Sequence, residues 1–170
     1  MTKQIKNITK QFPQVIAPYC LALEKSVGAI IFCKNDNEVK FLLMQYPHGH
    51  WEFPRGHVEE DETELETMYR EIEEETGLKR NSLSKVEDFR EKMKFSYIAK
   101  GNERENRKKE KRCIAIRKTV IFYLVKTEES LVTLSHEHTN FVWLSGEDAL
   151  EKLTFENSKR IMKVAIEKVA

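Results

Sequence analysis

From Ser26 to Cys33 the chain is almost unbroken in apolar residues, Ser-Val-Gly-Ala-Ile-Ile-Phe-Cys, and reads as a buried strand. A polar turn over Lys34 to Glu38 follows, and Val39 to Gln45 returns as a second strand, which predicts a hairpin. Trp51 to Phe53 is a short extended piece ended by Pro54, whose ring holds the preceding residue extended. Arg55 to Asp61 is a loop, after which the period changes. Leu65, Met68, Tyr69 and Ile72 fall at the i, i+3, i+4, i+7 spacing of a helix with one apolar face, and Gly77 serves as its C-cap. Val86 to Ile98 predicts a strand, Thr119 to Val125 a central strand, and Thr139 to Leu144 another. Ser145 can cap the next helix, and Glu156 to Val169 closes the chain as an amphipathic helix carrying Ile161, Met162, Ala165, Ile166 and Val169. Hairpins first, then an irregular alternation of helices and strands, predict an α/β fold with a mixed sheet between helices.

Length adds one domain, over residues 24–170, behind an extension over residues 1–23 that is either a tail or a packed arm. A net charge of +1 argues against a general nucleic-acid binder, so no nucleic-acid partner is expected, and it leaves a small polyphosphate ligand open. The residues from Lys100 to Arg112 number seven basic and three acidic, and read as a charged, mobile loop. Cys20, Cys33 and Cys113 show no metal-type spacing and suggest reduced, structural thiols. No apolar run approaches the length of a membrane span, and no leader is evident, so the expectation is a cytoplasmic protein without a membrane partner.

The chemistry is concentrated in the first helix. Ten of the seventeen residues from Glu59 to Glu75 are acidic, more than solubility requires. Glu71, Glu74 and Glu75 sit at i, i+3, i+4 and so converge on one face, where like charges repel. A divalent cation reverses the sign of that repulsion, and hard carboxylate oxygens suit Mg2+. The bland alternative is a solvated acidic helix.

The order of the surrounding residues decides between the two. Gly56, five residues, Glu62, seven residues, Arg70-Glu71, aliphatic Ile72, one residue, Glu74-Glu75, one residue, Gly77 and aliphatic Leu78 fit the Nudix box at every defined place. The chain therefore resembles a Nudix hydrolase. The resemblance implies a Nudix-type α/β/α sandwich with a mixed central sheet, and cleavage of a nucleoside diphosphate linked to another moiety with Mg2+ or Mn2+. It makes Glu71, Glu74 and Glu75 metal ligands, with Glu137 and the Gly56 carbonyl added. Either Glu71 or Glu137 accepts the proton of the attacking water, and Glu75 completes the catalytic set. Glu62 and Arg70 support by holding the loop and orienting carboxylates, whereas Glu59, Glu60, Glu64, Glu66 and Glu73 are expected to face solvent.

Sequence outside the box resembles the asymmetrically cleaving diadenosine tetraphosphate hydrolases in several places. These are Gly49-His50-Trp51, Phe53-Pro54-Arg55-Gly56-His57-Val58-Glu59 (with Arg where that group usually has Lys), Lys118 to Leu124, Ser135-His136-Glu137-His138, Phe141 with Trp143-Leu144, and Leu153-Thr154-Phe155. The resemblance implies hydrolysis of a dinucleoside tetraphosphate to ATP and AMP by water attack on an end phosphate. His50, Arg55, His57, Lys118 and His138 would meet the phosphate chain. Tyr97 and Phe155 would sandwich an adenine, although both suit ordinary core packing equally well. His48 and His136 are read as bland. The alternatives are a Nudix enzyme acting on RNA 5′ ends or diphosphoinositol polyphosphates, favoured by the basic 100–112 segment, and a nucleotide-binding sensor without turnover.

Overall fold

A computed structural model describes residues 20–35 and 38–170. Most of the expected extension, and the centre of the turn after the first strand, lie outside the described residues. The elements are strands β1 (Leu21–Asn35), β2 (Glu38–Gln45), β3 (Trp51–Glu52) and β4 (Arg55–His57), helix α1 (Glu64–Thr76), and β5 (Leu83–Ile98) after a short 3-10 turn. Helix α2 (Gly101–Lys109), β6 (Ala115–Thr127), β7 (Asn140–Leu144), α3 (Gly146–Lys152) and α4 (Glu156–Val169) follow. Seven strands form one sheet in the order β3-β2-β1-β6-β5, with β4 paired to β1 and β7 paired to β2. This is the α/β class that the pattern predicts, with the expected hairpin of β1 and β2 in antiparallel register, Phe32 opposite Phe41.

Among the described residues the chain divides into two compact units, residues 25–93 with 120–170 and residues 20–24 with 94–119. In the larger unit Val27, Ala29 and Ile31 of β1 alternate onto one face, joined by Leu42 and Met44 of β2 and by Ile121 and Val125 of β6. Met68 and Ile72 of α1 are buried against this face. Full burial of such side chains contributes about 1.5–3 kcal/mol each. Leu65, assigned to the apolar stripe, stays 38% exposed at the first turn, so the stripe that packs is narrower than its periodicity suggests.

Helix α1 begins with a reciprocal capping box. Thr63 Oγ1 accepts from the Glu66 amide at 3.3 Å, while the Glu66 carboxylate accepts from the Thr63 amide at 2.8 Å. It ends at Gly77, whose φ of 73° is left-handed and whose amide donates to Glu73 at 2.9 Å.

In the smaller unit, part of the 100–112 segment expected as a mobile loop is helix α2. Its charges are spaced to support a helix: Glu103 and Arg107 pair at i, i+4, and Glu105 and Lys108 at i, i+3. Arg107, Lys108 and Lys109 occupy the last turn, where cations meet the carbonyl end of the dipole. Arg107 is buried and pairs with both Glu24 and Glu103, and also donates to the Cys113 carbonyl at 3.1 Å. Cys20 and Cys113 form a disulfide, so two of the three thiols expected to be reduced are joined, and Cys33 alone is free and buried. A separation of 93 residues hides that pairing from sequence spacing. No helix among the described residues is long and apolar enough to cross a membrane.

Candidate active site

Strand β4 and helix α1 are joined by the box loop, and their packing sets the site. Gly56 lies opposite Val27 of β1, which holds β4 in the sheet instead of the plain loop expected there. A Cβ on residue 56 would fall on the Glu71 carboxylate, so only glycine admits that carboxylate at this place. One turn further, Glu75 Oε2 accepts from the Arg55 amide at 3.1 Å. Glu71 and Glu75 are both buried, and Glu74 is exposed on the adjoining face.

Arg70 ties the loop to the helix. Its guanidinium donates to Glu62 at 2.6 and 2.9 Å, to the His57 carbonyl at 2.9 Å, to Glu71 at 2.7 Å and to Glu74 at 3.0 Å. The Arg70 guanidinium beside Glu62 holds that carboxyl low, at about 2. Glu64, expected to face solvent, instead binds Lys25 at 2.7 Å, Arg90 at 2.8 Å and the Tyr123 hydroxyl at 2.7 Å. All three partners are remote in sequence, so helical periodicity alone could not reveal them. Glu66 closes the capping box and Glu73 pairs with Lys79 at 2.7 Å.

The loop after β6 brings in Glu137. Its backbone docks on the end of α1, where the Thr133 amide donates to the Thr76 carbonyl at 2.8 Å and the Ser135 amide to the Glu75 carbonyl at 3.3 Å. The Trp143 indole anchors the same loop by donating to the Ser130 carbonyl at 3.0 Å. Glu71, Glu74, Glu75, Ser135, His136 and Glu137 thereby line one cavity of about 250 Å3. His136, read as bland, is a wall of that cavity.

Electrostatics follow from this crowding. Burial, then the charges of Glu71 and Glu137, push the Glu75 carboxyl up to about 8 despite the Arg55 amide. Burial also raises Glu71, opposed by Arg70. Among the described residues no three acidic, His or Cys side chains converge as a finished metal cage, and the Arg70 guanidinium bridges Glu71 and Glu74. The donor set nevertheless fits a hard divalent cation: carboxylate oxygens around a small cavity, one of them desolvated against its like-charged neighbours.

Beside the carboxylates is an aromatic and cationic cluster. Tyr46, which sequence reasoning left in a loop, stacks on His50 at 4.6 Å and meets the His138 ring edge-on at 4.5 Å. His50 also packs on Phe155 at 5.5 Å, and Phe155 remains 45% exposed. Arg55 lies over the Tyr46 ring, with Nη1 3.2 Å from the buried Glu52 carboxylate. Glu52 is fixed in turn by the Ser158 hydroxyl at 2.5 Å and the Phe53 amide at 3.0 Å. His138 is buried with Nε2 3.8 Å from Glu75 and Nδ1 3.2 Å from the Ser135 hydroxyl, and burial lowers its pKa. Arg55 Nη1 and His138 Nε2 are both buried without a hydrogen-bond partner among the described residues. Of the other expected substrate contacts, the His57 side chain is exposed on β4. Tyr97 and Lys118 belong to the smaller unit, where the Tyr97 hydroxyl donates to Glu103 at 3.1 Å.

A mixed sheet that presents a loop and an acidic helix in this way defines a class, and comparison with known proteins identifies it. The NUDIX domain matches residues 23–164. The chain belongs to the NUDIX family, and it is a hydrolase of that family. It is 36% identical to the asymmetrical bis(5′-nucleosyl)-tetraphosphatase of Rattus norvegicus over 149 residues, 82% of this chain and 90% of that protein. An Ap4A hydrolase of C. elegans, solved as a binary complex, superposes with a TM-score of 0.67 at 31% identity, over 82% of this chain and 93% of that one. An RNA pyrophosphohydrolase of Francisella tularensis is 31% identical over 121 residues, 69% of this chain and 75% of that protein.

Proposed function

We propose that this chain hydrolyses diadenosine tetraphosphate asymmetrically to ATP and AMP, with a divalent cation, Mg2+ or Mn2+, as cofactor. The choice of substrate rests on likeness to the rat tetraphosphatase along 90% of that protein's length. The geometric observation that carries it is the buried His138 Nε2, without a hydrogen-bond partner among the described residues, next to the carboxylate cavity. Buried polar atoms are normally satisfied, so an unmatched one beside a cavity, with the Arg55 cation on the same Tyr46 ring, suits a polyanionic ligand.

Glu71, Glu74, Glu75, Glu137 and the Gly56 carbonyl would hold the cation. When bound, the cation supplies neutralisation of phosphate oxygens and a lowered pKa for water. The chain's own residues do the rest. Arg70 and Glu62 keep Glu71 and Glu74 in place, and Arg55, His50, His57 and His138 steady the phosphate chain. Phe155 offers a flat, partly exposed face to an adenine. Glu137 takes the water proton, since it has no ion pair or side-chain acceptor bond among the described residues, whereas Glu71 is already engaged by Arg70. Water oxygen bonds to an end phosphorus, the bond from that phosphorus to its bridging oxygen breaks, and ATP departs with the bridging oxygen.

Incubation with diadenosine tetraphosphate and Mg2+ in 18O-water tests the reading. The expected products are ATP and AMP, with label on AMP, and none in EDTA. Two ADP molecules would overturn the cleavage register. Faster turnover of triphosphorylated RNA 5′ ends than of the dinucleotide would overturn the substrate and favour the likeness to the Francisella enzyme.

A further inference from the structure

Net neutrality of the whole chain conceals a division. Between Lys94 and Thr119 ten residues are basic and three acidic, while the remainder of the chain is net acidic. This basic stretch is the body of the smaller unit. Lys94, Lys100, Arg104, Lys108, Lys109, Lys111, Arg112 and Arg117 are all exposed. Ion pairs occupy Lys108 and Arg112, with Glu105 and Glu110. Among the described residues Lys100, Arg104, Lys109 and Lys111 have no acidic partner.

Helix stability does not require this arrangement. Cations in the last turn favour the dipole, which accounts for Arg107, Lys108 and Lys109 only. Nor does the core require it: the sequence of α2, Gly-Asn-Glu-Arg-Glu-Asn-Arg-Lys-Lys, has no apolar side chain, and only Arg107 is buried. The fold nonetheless fixes the helix, through the Arg107 pairs with Glu24 and Glu103 and through the Cys20–Cys113 disulfide that closes the same region. A rigid mount for a surface of cations is the outcome.

We infer that this cationic face of the smaller unit binds the phosphodiester backbone of a single-stranded nucleic acid. Arg104 and Lys108 are four residues apart, about 6 Å along the axis, a spacing that lets neighbouring cations meet successive phosphates. A membrane surface is disfavoured because an interfacial helix needs an apolar face to sink, and α2 has none. A protein partner would call for aromatic or apolar anchors, which α2 likewise lacks. The inference stands independently of the dinucleotide reading.

The test uses the full chain and fluorescein-labelled 20-mers of oligouridylate and oligothymidylate, with binding followed by anisotropy across a salt series. Four phosphate contacts give a slope of log K against log salt of roughly −3. The variant K100Q/R104Q/K109Q/K111Q should weaken binding by about tenfold or more at low salt and flatten the slope. Its circular dichroism spectrum and thermal melt should match the parent, which shows that the fold is intact. Binding of either oligomer with this loss supports the surface, and preference for one identifies RNA or DNA as the source. No binding, binding unaffected by the four substitutions, or capture only by phosphatidylserine vesicles would overturn it.

Discussion

Gly56 and Glu71 are packed so closely that the Glu71 carboxylate occupies the space a side chain on residue 56 would need. The contact holds the Glu71 carboxylate directly against the backbone of residue 56. Gly56→Ala must displace one or the other. We expect turnover to fall by at least about a hundredfold, the scale of a misplacement near 1 Å, with the circular dichroism spectrum unchanged. An alanine variant with near-parental kcat would show that the close packing is incidental.

Glu75 links the site to pH. Its carboxyl ionises near 4.5 when unfolded and near 8 when folded without metal. Between those values the folded state binds the extra proton, so the stability that Glu75 contributes to the metal-free protein is full below about pH 4.5 and is lost as pH rises through about 8. Thermal melts in EDTA should show this decline in the parent and a shallower one in Glu75→Gln. Parallel curves would place the penalty elsewhere.

Arg55 and Glu52 are a mostly buried pair, 3.2 Å apart. Arg55→Met leaves the Glu52 carboxylate without its counter-charge and should destabilise by about 3–5 kcal/mol. Glu52→Gln placed with it should recover much of that loss in urea unfolding. Failure of the double variant to recover would mean that Arg55 acts through Tyr46 packing.

The Cys20–Cys113 bond predicts one titratable thiol in the denatured, unreduced protein and three after reduction. Cys113→Ser should raise hydrogen exchange of α2 amides. Protection unchanged from the parent would assign the helix entirely to its Arg107 pairs.

The sequence spoke most clearly where local rules govern. Gly77, Ser145 and the closing helix over Glu156 to Val169 are read from caps and periodicity, and all occur as read. The carboxylate triad and Arg70 share one short segment, so helix geometry alone brings them together. What stayed hidden depends on distance along the chain or on competing rules. Glu64 looked solvated because Lys25, Arg90 and Tyr123 come from other strands. Glu52 gained its place only through Ser158, 106 residues away. Residues 101–109 looked like a loop because their hydrophobicity is negligible, and they are helical because their charges alternate at helical spacing.

Glu137 rides on a loop whose attachment to α1 uses main-chain groups, the amides of Thr133 and Ser135 on the carbonyls of Thr76 and Glu75. Main-chain bonds are indifferent to side-chain identity. Point substitutions along this tether can therefore accumulate while the carboxylate keeps its station, whereas inserting or deleting one residue between Thr133 and Glu137 would move it. For this tether, residue count governs where the carboxylate stands more than the main-chain-bonded residues' identities do.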